Sequence, residues 1–335
     1  MDWFDRLVGF AESDYATTQA RLRIEDGRLG SDAVDATWRV GTLELPSLAK
    51  LRERAAAVSA PGRLSVQVVR GDARALHNRA DNADALFQVA SQFNLLEMVD
   101  PGVSPEDGVG RYDWDPTQGP ACAIAAGAAT IYRNYLAPVG GQAGQTRHRQ
   151  FDALAGLGAR LADLTGRPID ALWSMRNGYA LCADSGLEAI AAVLDYLEAD
   201  QIDSLRGLLR VGLVWDAEVT DAPERPGQTV CQAFCSALPV SYAPVTKALA
   251  APFAGLILEA AYEATLLAGR LNAARGHRVI YLTRLGGGAF GNATAWIDAA
   301  MVRALDAVRD QALDVRIVSY AAPDQALLDL AARYA

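Results

Sequence analysis

Cysteine and histidine are scarce in this 335-residue chain, and neither is arranged for metal or disulfide chemistry. The four cysteines (Cys122, Cys182, Cys231, Cys235) contain no CxxC pair, and His77, His148 and His277 are scattered. No metal site and no cofactor is expected, and reduced thiols in a cytoplasmic protein are the economical reading. Excess positive charge is missing too. The net charge is −9, with 31 Lys plus Arg against 40 Asp plus Glu, so the basic footprint of a nucleic-acid surface is absent. The first residues, MDWFDRLVGFAES, lack the basic start and long apolar core of a signal peptide. The longest apolar stretch, residues 248–271, is interrupted by Glu259 and Glu263 at i,i+4. It reads as a buried amphipathic helix rather than a membrane span. There is no internal repeat.

What is present is a 51% apolar chain with 21% charged residues, enough to bury a sizeable core. β-Branched runs with alternation predict strands at 64–69, 84–89, 209–219, 229–237, 279–285 and 315–319. Helical patterns fall at 48–58, 120–129, 151–165, 186–197, 253–274 and 293–311, and 171–182 reads as extended. Strands alternating with helices predict an α/β fold, a three-layer α/β/α sandwich around a mixed sheet. Residues 1–60 are expected as an N-terminal helical extension. Residues 61–335 form the main domain, with a helical insertion at about 136–207.

Residues 278–292 read RVIYLTRLGGGAFGN, an apolar run that breaks into glycines and opens a helix. Gly286, Gly287, Gly288 and Gly291 can adopt positive φ and bring main-chain N–H groups close to an anion. The following helix aims its positive dipole end at the same place. In sheets of this kind ligands sit outside the carboxyl ends of strands. Four predicted strand ends carry unusual loops: Gly71-Asp72, 90–94, 238–242 and 286–291. Asp72 could accept from an exocyclic amine such as adenine offers, or form an Asx turn. Asn94 could bind a ribose hydroxyl, or simply shape a turn.

Taken together these segments resemble a macrodomain, the ADP-ribose-binding α/β/α fold. Gly71-Asp72 is similar to the family's Gly-Asp, which implies that Asp72 holds adenine. LFQVASQFN (86–94) resembles the loop that contacts the distal ribose, which points to Gln92 and Asn94. LGGGAFGN (285–292) resembles the diphosphate loop, implying ligand contacts from Gly286, Gly287, Gly288, Ala289, Phe290, Gly291 and Asn292, with Phe290 against the distal ribose. LFQVASQFNLLEM, DPTQGPACA and TRLGGGAFGN look more specifically like a divergent group of macrodomain-like ADP-ribosyl hydrolases. That group includes bacterial effector enzymes that remove ADP-ribose from arginine. The resemblance spans about 62–135 and 208–320. No second Asn follows an Ala in the Asn94 loop, and no adjacent Glu-Glu pair follows a Gly-rich loop as in poly(ADP-ribose) glycohydrolases. Chain cleavage is therefore not implied.

The segment 99–119 is rich in Pro, Gly and Asp and places Glu106, Asp107, Asp113 and Asp115 within ten residues. Cleaving an N-glycosidic bond passes through an oxocarbenium-like transition state. One carboxylate can stabilise that cation or activate water, and another can steer the leaving group. A carboxylate also suits a guanidinium. Asp107 and Asp115, both in turn-like contexts, are the candidates, and the resemblance to arginine-directed enzymes supports them. Asp115 is also placed to cap the helix near Pro120. Solvated acidic residues in a loop are the plain alternative. The expected partner is ADP-ribose or an ADP-ribosylated protein, without nucleic acid or membrane. A non-catalytic ADP-ribose reader and a hydrolase of ADP-ribose esters remain the alternative functions.

Overall fold

The computed structural model describes residues 2–58 and 61–334. Seven strands form one sheet: β1 (Thr42–Glu44), β2 (Ser65–Arg70), β3 (Leu86–Ala90), β4 (Gly212–Glu218), β5 (Thr229–Cys235), β6 (Val279–Leu282) and β7 (Asp314–Ser319). Their order is β1-β4-β5-β3-β6-β7-β2. β4 runs antiparallel to both neighbours, whereas β5, β3, β6, β7 and β2 are mutually parallel. The carboxyl ends of these five strands therefore share one edge. The central strands are apolar almost throughout, as strands covered on both faces must be.

Helix Lys247–Ala273 fills one face and packs against Leu48–Ala56, Asp184–Tyr196 and Thr294–Asp306. It is apolar and long enough to cross a membrane, yet it is largely buried within the protein. The two glutamates that interrupt it are paired at its margins. Glu259 meets Arg206 at 2.5 Å, and Glu263 meets Arg52 at 2.5 Å and Arg303 at 2.6 Å. Gly269 lets this helix touch the sheet, because a Cβ there would lie 2.1 Å from Ile280 Cδ1. Ala73–His77, Gln118–Ala125 and Gly127–Ile131 cover the other face. The α/β/α sandwich is thus present.

Residues 2–58 differ from the expected helical extension. They contain the helices Trp3–Val8, Tyr15–Ala20 and Leu48–Ala56, a small three-stranded sheet, and β1, which completes the main sheet at its edge. Trp3, Phe4, Phe10 and Leu29 form a core with Met98, Val109, Tyr112 and Tyr135, fastening this segment to the 99–119 loop. Residues 136–207 are likewise not purely helical. They include the hairpin Trp173–Arg176/Tyr179–Cys182, whose Trp173 stacks on Phe253 at 5.5 Å inside the main core. All four cysteines are buried and unbonded.

Candidate active site

The shared carboxyl edge of the parallel strands opens into a cavity of about 390 Å³. Each wall arises where a strand stops. Asp72 follows β2, Ser91 and Gln92 follow β3, Tyr242 follows β5, Gly286, Gly288, Ala289 and Phe290 follow β6, and Tyr320 follows β7. Asp115 and Glu97 complete the wall from the segment that follows β3.

The glycine loop is held by its own glycines and by Asn292. Gly286 and Gly291 both have φ +72°, and a Cβ on Gly286 would lie 2.5 Å from the Ala237 methyl. Asn292 is buried outside the cavity wall, where its Nδ2 donates to Leu238 O at 2.8 Å and its N–H to Gly286 O at 3.0 Å. Gly287 and Gly291 are also off the wall. Gly288 is different, because its φ is not positive and a Cβ there would meet no atom within 4 Å. Among the described residues, the N–H groups of Gly288, Ala289 and Phe290 donate to no protein acceptor. The helix Thr294–Asp306 that follows has no side-chain cap. Free donors and an open helix start are what an anion requires.

Asp72 accepts from Ala75 N through Oδ1 at 3.1 Å, capping Ala73–His77, and it lines the cavity as well. Gln92 lines the cavity but is committed to its own turn. Its Oε1 accepts from Met98 N at 2.8 Å and its Nε2 donates to Met98 O at 3.1 Å. Asn94 is fully buried and absent from the wall. Its Nδ2 donates to Gln150 Oε1 at 2.8 Å and its Oδ1 accepts from Leu96 N at 3.1 Å, so the turn-shaping alternative describes it. Leu95 at φ +65° turns the chain there.

The two candidate aspartates are separated. Asp107 closes a capping box, accepting from Ser104 N at 2.8 Å and Ser104 Oγ at 2.7 Å, away from the cavity wall. Asp115 is on the wall, with Oδ1 accepting from Thr117 N at 2.9 Å. Thr117 rather than Asp115 is the N-cap residue of Gln118–Ala125. The run after Asp115 also has a structural role. Gln118 accepts from Ala90 N at 2.9 Å and donates to Gln88 O at 2.8 Å, extending the ladder of β3. A Cβ on Gly119 would lie 2.0 Å from Ala90 O, so only glycine permits that approach.

Sequence reasoning missed Glu97, a residue of the cavity wall whose carboxylate is buried behind it against Arg133. Burial pushes its carboxyl up to about 7, against the opposing pull of Arg133, which lies at 3.2 Å, and of Tyr112. An acid in the apolar run LLEM was the available signal, since a charge there must find a partner or lose its proton. Tyr179 was also missed. It comes from the 136–207 segment and packs against Tyr242 at 5.1 Å and Phe290 at 5.3 Å, forming an aromatic wall. No group of three or more His, Cys, Asp or Glu suited to a metal lies among the described residues.

No family model matches the chain, and no curated protein matches it. Among solved structures it is similar to the poly(ADP-ribose) glycohydrolase of Deinococcus radiodurans in complex with ADP-ribose. That likeness has 12% identity and a TM-score of 0.45, over 87% of this chain and 92% of the other. It is also similar to the poly(ADP-ribose) glycohydrolase of Thermomonospora curvata bound to the inhibitor ADP-HPD, at 14% identity and a TM-score of 0.40, over 95% and 97%.

Proposed function

We propose that the protein is an ADP-ribose glycohydrolase that releases ADP-ribose from modified protein side chains, arginine foremost. One observation carries this reading. A single cavity joins three unengaged main-chain N–H groups at Gly288–Phe290 to Asp72 and to the Asp115 carboxylate. In this reading the diphosphate lies on the glycine loop, the adenine amine on Asp72, and the distal ribose along Phe290 and Tyr179. The motif resemblance to macrodomains supports the same order of ligand parts.

The carboxylate chemistry then falls to Asp115. Asp115, half-buried, takes a proton from water as its oxygen bonds to the anomeric carbon. The bond from that carbon to the guanidine nitrogen breaks with its electron pair on nitrogen, and the leaving group takes up a proton. Solvent in the open cavity supplies it, because the Glu97 side chain has no exposed surface and its carboxylate is held by Arg133. Asp107 has no part in this scheme. The absence of a Glu-Glu pair from the chain favours single side-chain adducts over polymer.

The decisive experiment incubates the purified protein with an arginine-ADP-ribosylated protein and follows free ADP-ribose. Catalytic release supports the hydrolase. Tight ADP-ribose binding by calorimetry with no release at stoichiometric protein would make it a reader instead.

A further inference from the structure

Trp114 is 83% exposed although it lies in a well-anchored loop. The two residues before it are fixed. Asp113 accepts from Trp3 N at 3.1 Å and lies 3.5 Å from Arg74, and the buried Tyr112 hydroxyl accepts from Glu97 N at 3.0 Å. The indole is therefore displayed to water on a rigid support. At the other end of the same loop Val99 is 47% exposed and lines the cavity. Each of these apolar residues is followed by an aspartate, Asp100 and Asp115, and Val99 and Asp115 both line the cavity, where the Tyr242 hydroxyl donates to Val99 O at 3.3 Å. The two loop ends thus lie at one side of the cavity mouth.

We propose that this pair of loop ends docks the polypeptide carrying the modified side chain, with Trp114 as its main contact. The proposal rests on the reading that an ADP-ribosylated side chain is the substrate. Two features select the occupant. The surface is continuous with the cavity, so the protein end of an adduct held there must emerge across it. Its charge is negative beside an exposed indole, a combination that complements a cationic, arginine-bearing segment. Guanidinium groups pair with carboxylates and lie on indole faces. Exposed tryptophans that become covered on binding are frequent energetic anchors.

The test measures ADP-ribose release by the wild type, Trp114→Ala and Trp114→Phe from two substrates, an arginine-ADP-ribosylated protein and free ADP-ribosyl-arginine. Trp114→Ala should raise KM for the modified protein on the order of tenfold, the loss expected for one interface anchor. It should leave kcat and both constants for the small adduct unchanged, and Trp114→Phe should recover part of the loss. Equal effects on both substrates, or no effect on either, overturn the proposal. So does sedimentation showing that Trp114→Ala dissociates a dimer, which would assign the surface to a second copy of this chain. If the wild type releases ADP-ribose from neither substrate, the hydrolytic reading fails by itself. Docking is then judged by calorimetry with the same modified protein, where equal affinity of wild type and Trp114→Ala overturns it.

Discussion

The carboxylate of Glu12 accepts a hydrogen bond from the backbone N–H of Gly110 at 2.7 Å, tying the N-terminal segment to the acidic loop. The same carboxylate accepts from Val109 N at 2.9 Å and the Tyr135 hydroxyl at 2.7 Å. A Cβ on Gly108 would lie 2.4 Å from Glu12 Oε2, and one on Gly110 would lie 2.9 Å from it. The glycines of the PEDGVG run thus admit a carboxylate from nearly a hundred residues away. Asp115 follows within five residues of this anchor, so under the proposed scheme Glu12 is a positioning residue for it.

Glu12→Ala should therefore lower kcat while leaving ADP-ribose affinity unchanged, because the glycine loop and Asp72 are untouched. A misplacement of about 1 Å costs on the order of 100-fold in rate. Steady-state kinetics with parallel calorimetry checks this, and faster proteolysis within 99–119 should accompany it. A loss of affinity equal to the loss of rate would contradict the assignment.

Asp115 and Asp107 should separate cleanly. Asp115→Asn is expected to reduce ADP-ribose release by about 100- to 10,000-fold, the usual range for an acid–base group. Asp107→Ala should retain the rate and lose roughly 1 kcal/mol of stability, as for a missing cap. Release assays beside urea denaturation distinguish the two variants, and a large rate loss in Asp107→Ala would reverse the assignment.

Gly288 and Gly286 offer a second contrast. Gly288→Ala meets no protein atom, so thermal stability should hold while ADP-ribose affinity falls. Gly286→Ala forces a side chain into φ +72° against Ala237 and should destabilise by roughly 1–3 kcal/mol. Calorimetric titration and melting of both variants provide the comparison. Unchanged affinity in Gly288→Ala would remove the glycine loop from the ligand site.

Glu97 makes stability depend on pH in an unusual direction. Its folded pKa is about 7 against an ordinary 4.5. Between these values the folded state binds more protons than the unfolded chain, so stability falls as pH rises through that window. The group is fully buried, and the span corresponds to on the order of 3 kcal/mol. Urea midpoints for wild type and Glu97→Gln at pH 5 and pH 7.5 should diverge, with the variant losing this share of the slope.

Much of the cavity edge was legible in the chain because its signals are local. A β-branched run ending in Gly-Asp, or in GGGAFG, states within a few residues that a strand stops and that backbone is exposed. The mixed α/β sandwich followed from such runs alternating with helical patterns. Asn94 shows the limit of this reasoning. Its identity fits both ribose binding and turn formation, and only the burial created by Gln150 and Gly178 shows which contacts it makes. β1 is three residues long, too short for alternation to show, and becomes a strand only by pairing with β4.

The sequence by itself determined the glycine loop, the strand ends and the clustering of acids in 99–119, since each depends on neighbours along the chain. Tertiary structure alone decided which acids face the cavity. Asp107 and Asp115 are eight positions apart and chemically identical. Ser104 engages one, while the packing of Trp3, Tyr112 and Glu12 under the loop directs the other to the cavity wall. The burial that raises Glu97 is a property of the assembled core, where desolvation depends on atoms brought together from distant segments.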